Sequence, residues 1–274
     1  MDPGSLCLFS SYSDQNSIPF WVKTYLEELT SYIETLVLLT NERELQESDY
    51  QFLETRNIEV RFYPNEGWDF GMWFRYLVSE NTSSCSSLFL INDSNLLIGS
   101  LKNFFTWWKT HRFDFGGLTE NWELAWHIQS FFLGFRGNTV EIVRQYFAKT
   151  GILKDKVDAI LFYEIGLSRH LKSRGLTPGV LFPTSTVSPW GCDTSIYRPK
   201  RLIRRGYPLV KRSLIYRSSY AFYYRWIFRK EVGTQVLSAI RPMKPSLHGL
   251  FWESLDRVLF YGFGWKSLPR IKPY

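Results

Sequence analysis

Cysteine and histidine are scarce in this sequence, three and four residues among 274. Cys7, Cys85 and Cys192 lie far apart, are odd in number and match no zinc spacing, which argues against a disulfide framework and a structural zinc site. Four histidines argue against a His-rich metal centre. Long apolar runs are also missing: none approaches the ~18 residues of a spanning helix. The Met-Asp-Pro-Gly start carries neither a basic n-region nor a long apolar h-region. The expectation is a cytoplasmic chain, neither exported by a standard signal nor integral to a membrane. No Gly-x-Gly-x-x-Gly fingerprint for a redox dinucleotide occurs. Nor is there an RNP-type, zinc-finger or helix-turn-helix signature, so no nucleic-acid partner is expected. Finally, acid is missing from one long stretch, with no Asp or Glu between Thr194 and Lys230.

That stretch concentrates the excess behind a net charge of +7. Arg198, Lys200, Arg201, Arg204, Arg205, Lys211, Arg212, Arg217, Arg225, Arg229 and Lys230 alternate with Tyr207, Tyr216, Tyr220, Phe222, Tyr223, Tyr224, Trp226 and Phe228. Basic residues beside interfacial aromatics suit an anionic membrane surface, so peripheral contact with the inner face of a membrane is expected. A solvated basic surface is the plainer alternative. The length and the 45% hydrophobic content suit one large core rather than two. The expected division is a core over residues 1–190 and a basic, aromatic extension over 191–274.

Apolar runs and helical spacing alternate through the first hundred residues. Strands are expected at Leu6–Phe9, Thr35–Leu39, Ile58–Phe62 and Leu88–Ile91. Helices are expected from Pro19 to about Tyr32, over Ser48–Thr55, over Gly71–Val78 and within Asn95–Thr110. Such alternation predicts an α/β fold with a mainly parallel, Rossmann-like sheet. Further on, a strand-like Ser130–Phe135, a helix over Thr139–Thr150, a helix over Glu164–Arg174 closed by Gly175 and a strand near Val180–Phe182 are expected.

Open sheets of this class bind ligands at the carboxyl ends of their strands, where glycine lets backbone approach phosphate and a carboxylate can hold a ribose hydroxyl or a divalent ion. Two Asn/Asp/Gly-rich turns close apolar runs here. In the first, Asn65, Gly67 and Asp69 follow the third strand; Asp69 contacts a ribose or base, or serves as a turn residue bonded to its own backbone. In the second, Asn92 and Asp93 follow the fourth strand; they face a diphosphate, or cap a helix at Asn95. Ser11 and Tyr12 end the first strand, where a nucleoside base packs, with Tyr12 as core the alternative. Asp93 is the candidate ligand for Mg2+ or Mn2+, and a single carboxylate needs phosphate oxygens and waters to complete the shell. Glu120, Glu123 and His127 stand at i, i+3 and i+7, one face of a helix if the segment is helical. Glu120, His127 and Gln129 are candidate substrate-binding groups, with a solvated face the alternative for Glu120 and Glu123. Glu164 is the candidate catalytic base: a carboxylate at a helix N-terminus stays ionised by the macrodipole and can take a proton from an acceptor hydroxyl. A plain helix-start Glu is the alternative.

Six motifs in order resemble the rhamnan synthesis protein F family of polysaccharide glycosyltransferases. They are Leu8-Phe9-Ser10-Ser11-Tyr12, Asn65 through Trp73, Leu90-Ile91-Asn92-Asp93-Ser94, His127 through Leu133, Tyr163 through Ser168, and Gly206 through Arg212. The resemblance implies a GT-A type fold, a nucleoside-diphosphate sugar as donor, often of a deoxyhexose such as rhamnose, and a growing surface polysaccharide or lipid-linked glycan as acceptor. It also implies inversion, since Glu164 to Gly175 resembles the acidic element and amphipathic helix found late in many inverting GT-A enzymes. Many such enzymes carry Asp-x-Asp where this chain has Asn92-Asp93-Ser94, which leaves the metal open. The competing reading is a non-catalytic protein that binds anionic lipid or nucleic acid on an α/β scaffold.

Overall fold

The computed structural model describes residues 2–13, 16–41, 44–80, 82, 85–188, 191–216 and 221–240. Arg217, Tyr220 and residues 241–274 of the expected extension lie outside them. In chain order the elements are β1 (Asp2–Ser11), α1 (Phe20–Thr30), β2 (Ile33–Thr40), α2 (Glu47–Thr55), β3 (Ile58–Phe62), α3 (Trp68–Ser79), β4 (Ser87–Asn92), β5 (Asn95–Leu97), α4 (Lys102–Thr110), β6 (Phe115–Asn121), β7 (His127–Ile128), β8 (Phe132–Arg136) and α5 (Asn138–Thr150). Then follow α6 (Lys156–Asp158), a π-helix (Ala159–Gly166), α7 (Leu167–Ser173), β9 (Pro178–Phe182), α8 (Thr184–Val187), α9 (Thr194–Tyr197), α10 (Pro199–Ile203), β10 (Leu209–Lys211), α11 (Arg212–Tyr216) and α12 (Ala221–Ile227). Two short helices, α13 (Arg229–Val232) and α14 (Thr234–Ala239), close the described chain.

The chain divides into two compact units. The first holds Met1–Asp93, Leu101–Leu118 and His127–Leu181; the second holds Ser94–Ser100, Thr119–Trp126 and Phe182–Tyr274. In the first, the main sheet runs in the order β3-β2-β1-β4-β8-β6-β7, with β9 paired to β6. β3, β2, β1 and β4 are parallel, and β8 turns the sheet antiparallel by pairing with both β4 and β6. The protein is thus α/β, with a central mixed sheet whose parallel part is built from residues 2–92. Parallel strands are covered on both faces, and the runs Leu36–Leu39 and Leu88–Ile91 are buried throughout.

Aromatic packing fixes both faces. Trp73 of α3 is fully buried and its Nε1 donates to the Leu8 carbonyl at 3.1 Å, tying helix to strand. On α4, Phe104, Phe105 and Trp108 meet Phe89 of β4, and Phe104 also meets Phe132 of β8. Gly134 is required there: a Cβ would stand 2.6 Å from the Trp108 ring. In the second unit, β5 pairs antiparallel with β10, and the short helices α8 to α14 complete it.

Three local expectations fail. Asn95 begins strand β5, so Asn92 and Asp93 cap no helix there, and the helix starts at Lys102. Glu120, Glu123 and His127 share no helix: Glu120 lies in β6, Glu123 in the following turn and His127 in β7. Glu164 is no helix-start residue, because a continuous helical stretch from Lys156 runs through it to Ser173.

Candidate functional site

The strand order reverses between β1 and β4: from β1 the chain works outward through β2 to β3, then returns to the other side of β1 with β4. Such a switch point opens a crevice at the carboxyl ends of the two strands, since their loops leave in opposite directions. Parallel register brings Ser10 level with Asn92 and Ser11 level with Thr40 at that rim. Apolar strand thus ends abruptly in buried polar side chains. Ser10, Ser11, Thr40, Asn41, Asn92 and Asp93 are each less than a tenth exposed.

These side chains hold two carboxylates. Ser10 Oγ donates to Asp69 Oδ1 at 3.1 Å, and Asn92 Nδ2 donates to Asp69 Oδ2 at 2.9 Å. Ser11 Oγ donates to Asp93 Oδ2 at 3.1 Å, and the Asp93 N–H donates to the Ser10 carbonyl at 3.2 Å. Asp69 does not lie in a free turn, as its glycine-bracketed sequence suggested; it sits in the first turn of α3.

The approach to α3 is tightly built. Gly67 takes φ 80° and Trp68 φ 54°, an uncommon conformation for a bulky residue. Backbone of this kind persists only where its surroundings enforce it. At Gly71 a Cβ would lie 1.8 Å from the Glu66 carbonyl oxygen, so only glycine lets the loop fold onto the helix. Arg75 clamps the loop by donating to the Glu66 carbonyl, the Gly71 carbonyl and the Glu66 carboxylate. Lys154 stands 3.0 Å from the other Glu66 oxygen. Lys154 first, then Arg75, holds the Glu66 carboxyl below its ordinary value. Asn65 is exposed at the edge of this loop, Ser11 is buried at the end of β1, and Tyr12 just beyond is 46% exposed rather than core.

Glu164 lies in the same unit, on the π-helix. This wide helical form is rare and recurs at functional sites, where its extra residue per turn re-aims a side chain. Ser130 Oγ donates to Glu164 Oε1 at 3.0 Å, and His127 Nε2 lies 3.6 Å from Oε2. His127 is buried beneath this pair, and Ser168 Oγ accepts from the neighbouring Ile128 N–H at 3.2 Å. Two contacts link this group to the β1/β4 rim. The Asn92 N–H donates to the carbonyl of Phe131, next to Ser130, and Phe70, next to Asp69, stacks on Tyr163, next to Glu164, at 4.8 Å. Leu167 and Leu171 pack inward, as the sequence of α7 suggested. Ser10, Ser130 and Ser168 were not singled out as site residues in the sequence; their position within the family-like motifs around Ser11, His127 and Glu164 is the signal that could have found them.

Gln129 is buried beside His127 in sequence. Glu120 belongs to the second unit, where both carboxylate oxygens are occupied: Thr184 N–H donates to one at 3.0 Å and Trp126 Nε1 to the other at 2.6 Å. It braces that unit rather than presenting a free carboxylate. Among the described residues no group of three or more His, Cys, Asp or Glu could hold a metal ion.

Remote likenesses to solved structures exist. One is 4-diphosphocytidyl-2C-methyl-D-erythritol synthase of Anaerococcus prevotii, 11% identical, covering 65% of this chain and 86% of that one at a TM-score of 0.44. Another is the CTP:phosphocholine cytidylyltransferase of Streptococcus pneumoniae, 10% identical, covering 65% and 90% at 0.42. Likeness this distant assigns no activity. No curated protein matches the chain. Residues 36–253, most of the sequence, match the family described as Rhamnan synthesis protein F. The chain therefore belongs to the rhamnan synthesis protein F family.

Proposed function

We propose that the protein is a GT-A type glycosyltransferase that moves a sugar, a deoxyhexose such as rhamnose, from a nucleoside diphosphate to a growing or lipid-linked glycan. Family membership supports a nucleotide-sugar glycosyltransferase. The observation that carries the reading is the pair of carboxylates, Asp69 and Asp93, held by Ser10, Ser11 and Asn92 at the switch point between β1 and β4. In this reading the nucleoside packs along Ser11 and Tyr12 at the end of β1, with Asn65 and Gly67 in the loop that leads into α3. Asp69, gripped on both oxygens, orients the rim on the ribose side. Asp93 faces the diphosphate. It offers one carboxylate, so Mg2+ or Mn2+ would be shared with phosphate oxygens and water rather than caged by protein.

Glu164 is the base. As the acceptor oxygen attacks the anomeric carbon, its proton passes to Glu164 while the bond from that carbon to the diphosphate breaks, and the configuration inverts. Ser130 fixes the carboxylate for this transfer by its hydrogen bond, with His127 3.6 Å away and Gln129 next to Ser130 in sequence. This replaces the macrodipole as the reason for its placement.

A thermal-shift screen against UDP-, GDP- and dTDP-sugars, with and without Mn2+, tests the reading. One sugar nucleotide should raise the melting temperature of wild type and raise it less in Asp93→Ala. No shift with any of them would count against a donor site here.

A further inference from the structure

The second unit contains a cavity of about 450 Å³ that the transfer reaction does not use. It lies between α10 and α12 and is lined by Tyr197, Lys200, Arg201, Arg204, Tyr223 and Ile227 among others. Its volume is within the range of small-ligand sites. Arg201 donates to the Val187 carbonyl at 2.8 Å, which fixes that guanidinium at the wall. Lys200 and Arg204 are exposed, and Lys200 stands 6.0 Å from the centre of the Tyr223 ring. No acidic residue occurs from Thr194 to Lys230 to neutralise this ledge.

Beside the basic ledge stands an uncovered aromatic face. Phe222, Tyr223 and Trp226 are 65%, 51% and 63% exposed. At spacings i, i+1 and i+4 they share one side of α12, while Ala221, Tyr224 and, just past its end, Phe228 are buried behind them. Three large rings presented together to water mark a surface meant to be covered. A cluster of cations beside exposed rings matches an anionic bilayer, whose headgroup phosphates meet the cations while the rings enter the interfacial layer.

We infer that this cavity and the face of α12 form a docking site for an anionic phospholipid surface, with a headgroup phosphate between Lys200, Arg201 and Arg204 and with Phe222, Tyr223 and Trp226 in the interface. The assignment deepens the proposed function by naming the surface at which a lipid-linked acceptor is met. It is tested by binding without donor, so it stands or fails separately from transfer.

The test is cosedimentation of the full chain with phosphatidylcholine vesicles with and without phosphatidylglycerol, at about 0.15 M salt, where only nearby charges act. Wild type should sediment with the anionic vesicles and not with the neutral ones. The double variant Lys200→Ala/Arg204→Ala should bind about thirtyfold more weakly, about five- to sixfold per cation. The pair Phe222→Ser/Trp226→Ser should lose at least about tenfold. The charge-conserving pair Lys200→Arg/Arg204→Lys should restore binding, and unchanged circular dichroism should accompany every variant. Equal binding to neutral vesicles, or an unaffected Lys200→Ala/Arg204→Ala protein, would overturn the assignment. So would complete competition by soluble glycerol phosphate, or displacement of the vesicles by a short RNA that binds more tightly.

Discussion

Replacing Asp69 by alanine removes the acceptor for two side chains at once. Asn92 is buried and directs its amide at Asp69, and Ser10 is buried with Met72 Sδ, at 3.2 Å, as a weaker second acceptor. Losing a buried hydrogen bond to a charged group costs about 1–3 kcal/mol. Asn92 and Ser10 both lose this contact, Ser10 with a second acceptor at hand, so Asp69→Ala should destabilise the protein by about 1–3 kcal/mol. Asp69→Asn should do less damage. Its Oδ1 can accept from Asn92 and its Nδ2 can donate to the Ser10 hydroxyl, so both contacts survive as neutral hydrogen bonds, at a cost of about 1 kcal/mol. Urea unfolding of the three proteins measures the difference directly, through the midpoint at constant m-value. Nucleotide-sugar binding followed on the same samples should weaken in both variants. If Asp69→Ala unfolds within about 0.5 kcal/mol of wild type, the carboxylate is not the keystone of the rim and the site must be redrawn.

Further outcomes follow from particular contacts. Gly134→Ala pushes a methyl group against Trp108 and should cost about 1–3 kcal/mol by overpacking; an unchanged melting temperature would show that the α4 face is looser than described. Glu66 is held below its ordinary value by Lys154 and Arg75. Its depressed folded pKa means that its contribution is present above about pH 4.5 and lost as pH falls through the folded value. Glu66→Gln should therefore flatten the acid limb of the stability curve, less so in high salt because the group is exposed; an unaltered limb at low salt would remove the pairing from the account. Ser130→Ala should lower the transfer rate while leaving donor affinity alone, since the Ser130 hydroxyl bonds Glu164. A transfer rate identical to wild type would deny it a positioning role.

The parallel half of the fold was legible because buried parallel strands are written as near-continuous apolar runs, and Leu36–Leu39 and Leu88–Ile91 are of that kind. The turns after β3 and β4 were legible for the complementary reason, as Asn, Asp and Gly interrupt such runs where backbone changes direction. What was not legible is structure set by neighbours distant in sequence. Glu120, Glu123 and His127 fall at helical spacing by coincidence, and nothing local says that Glu120 is fixed by Thr184 and Trp126. Strand β5 is three residues long and exists because β10, more than a hundred positions later, pairs with it. The π-helix at Ala159–Gly166 is mostly apolar and reads as an ordinary helix or strand, so the orientation it gives Glu164 leaves no trace in composition. Likewise Ser10 looks no different from Ser11, yet the two hold different carboxylates.

The most direct measurement is single-turnover transfer, with donor affinity determined in parallel, on Glu164→Gln. The account predicts donor binding close to that of wild type and a transfer rate lower by about 10²–10⁴, the range for loss of a general base. A rate within a few fold of wild type, with donor bound normally, would contradict it and place the proton acceptor elsewhere.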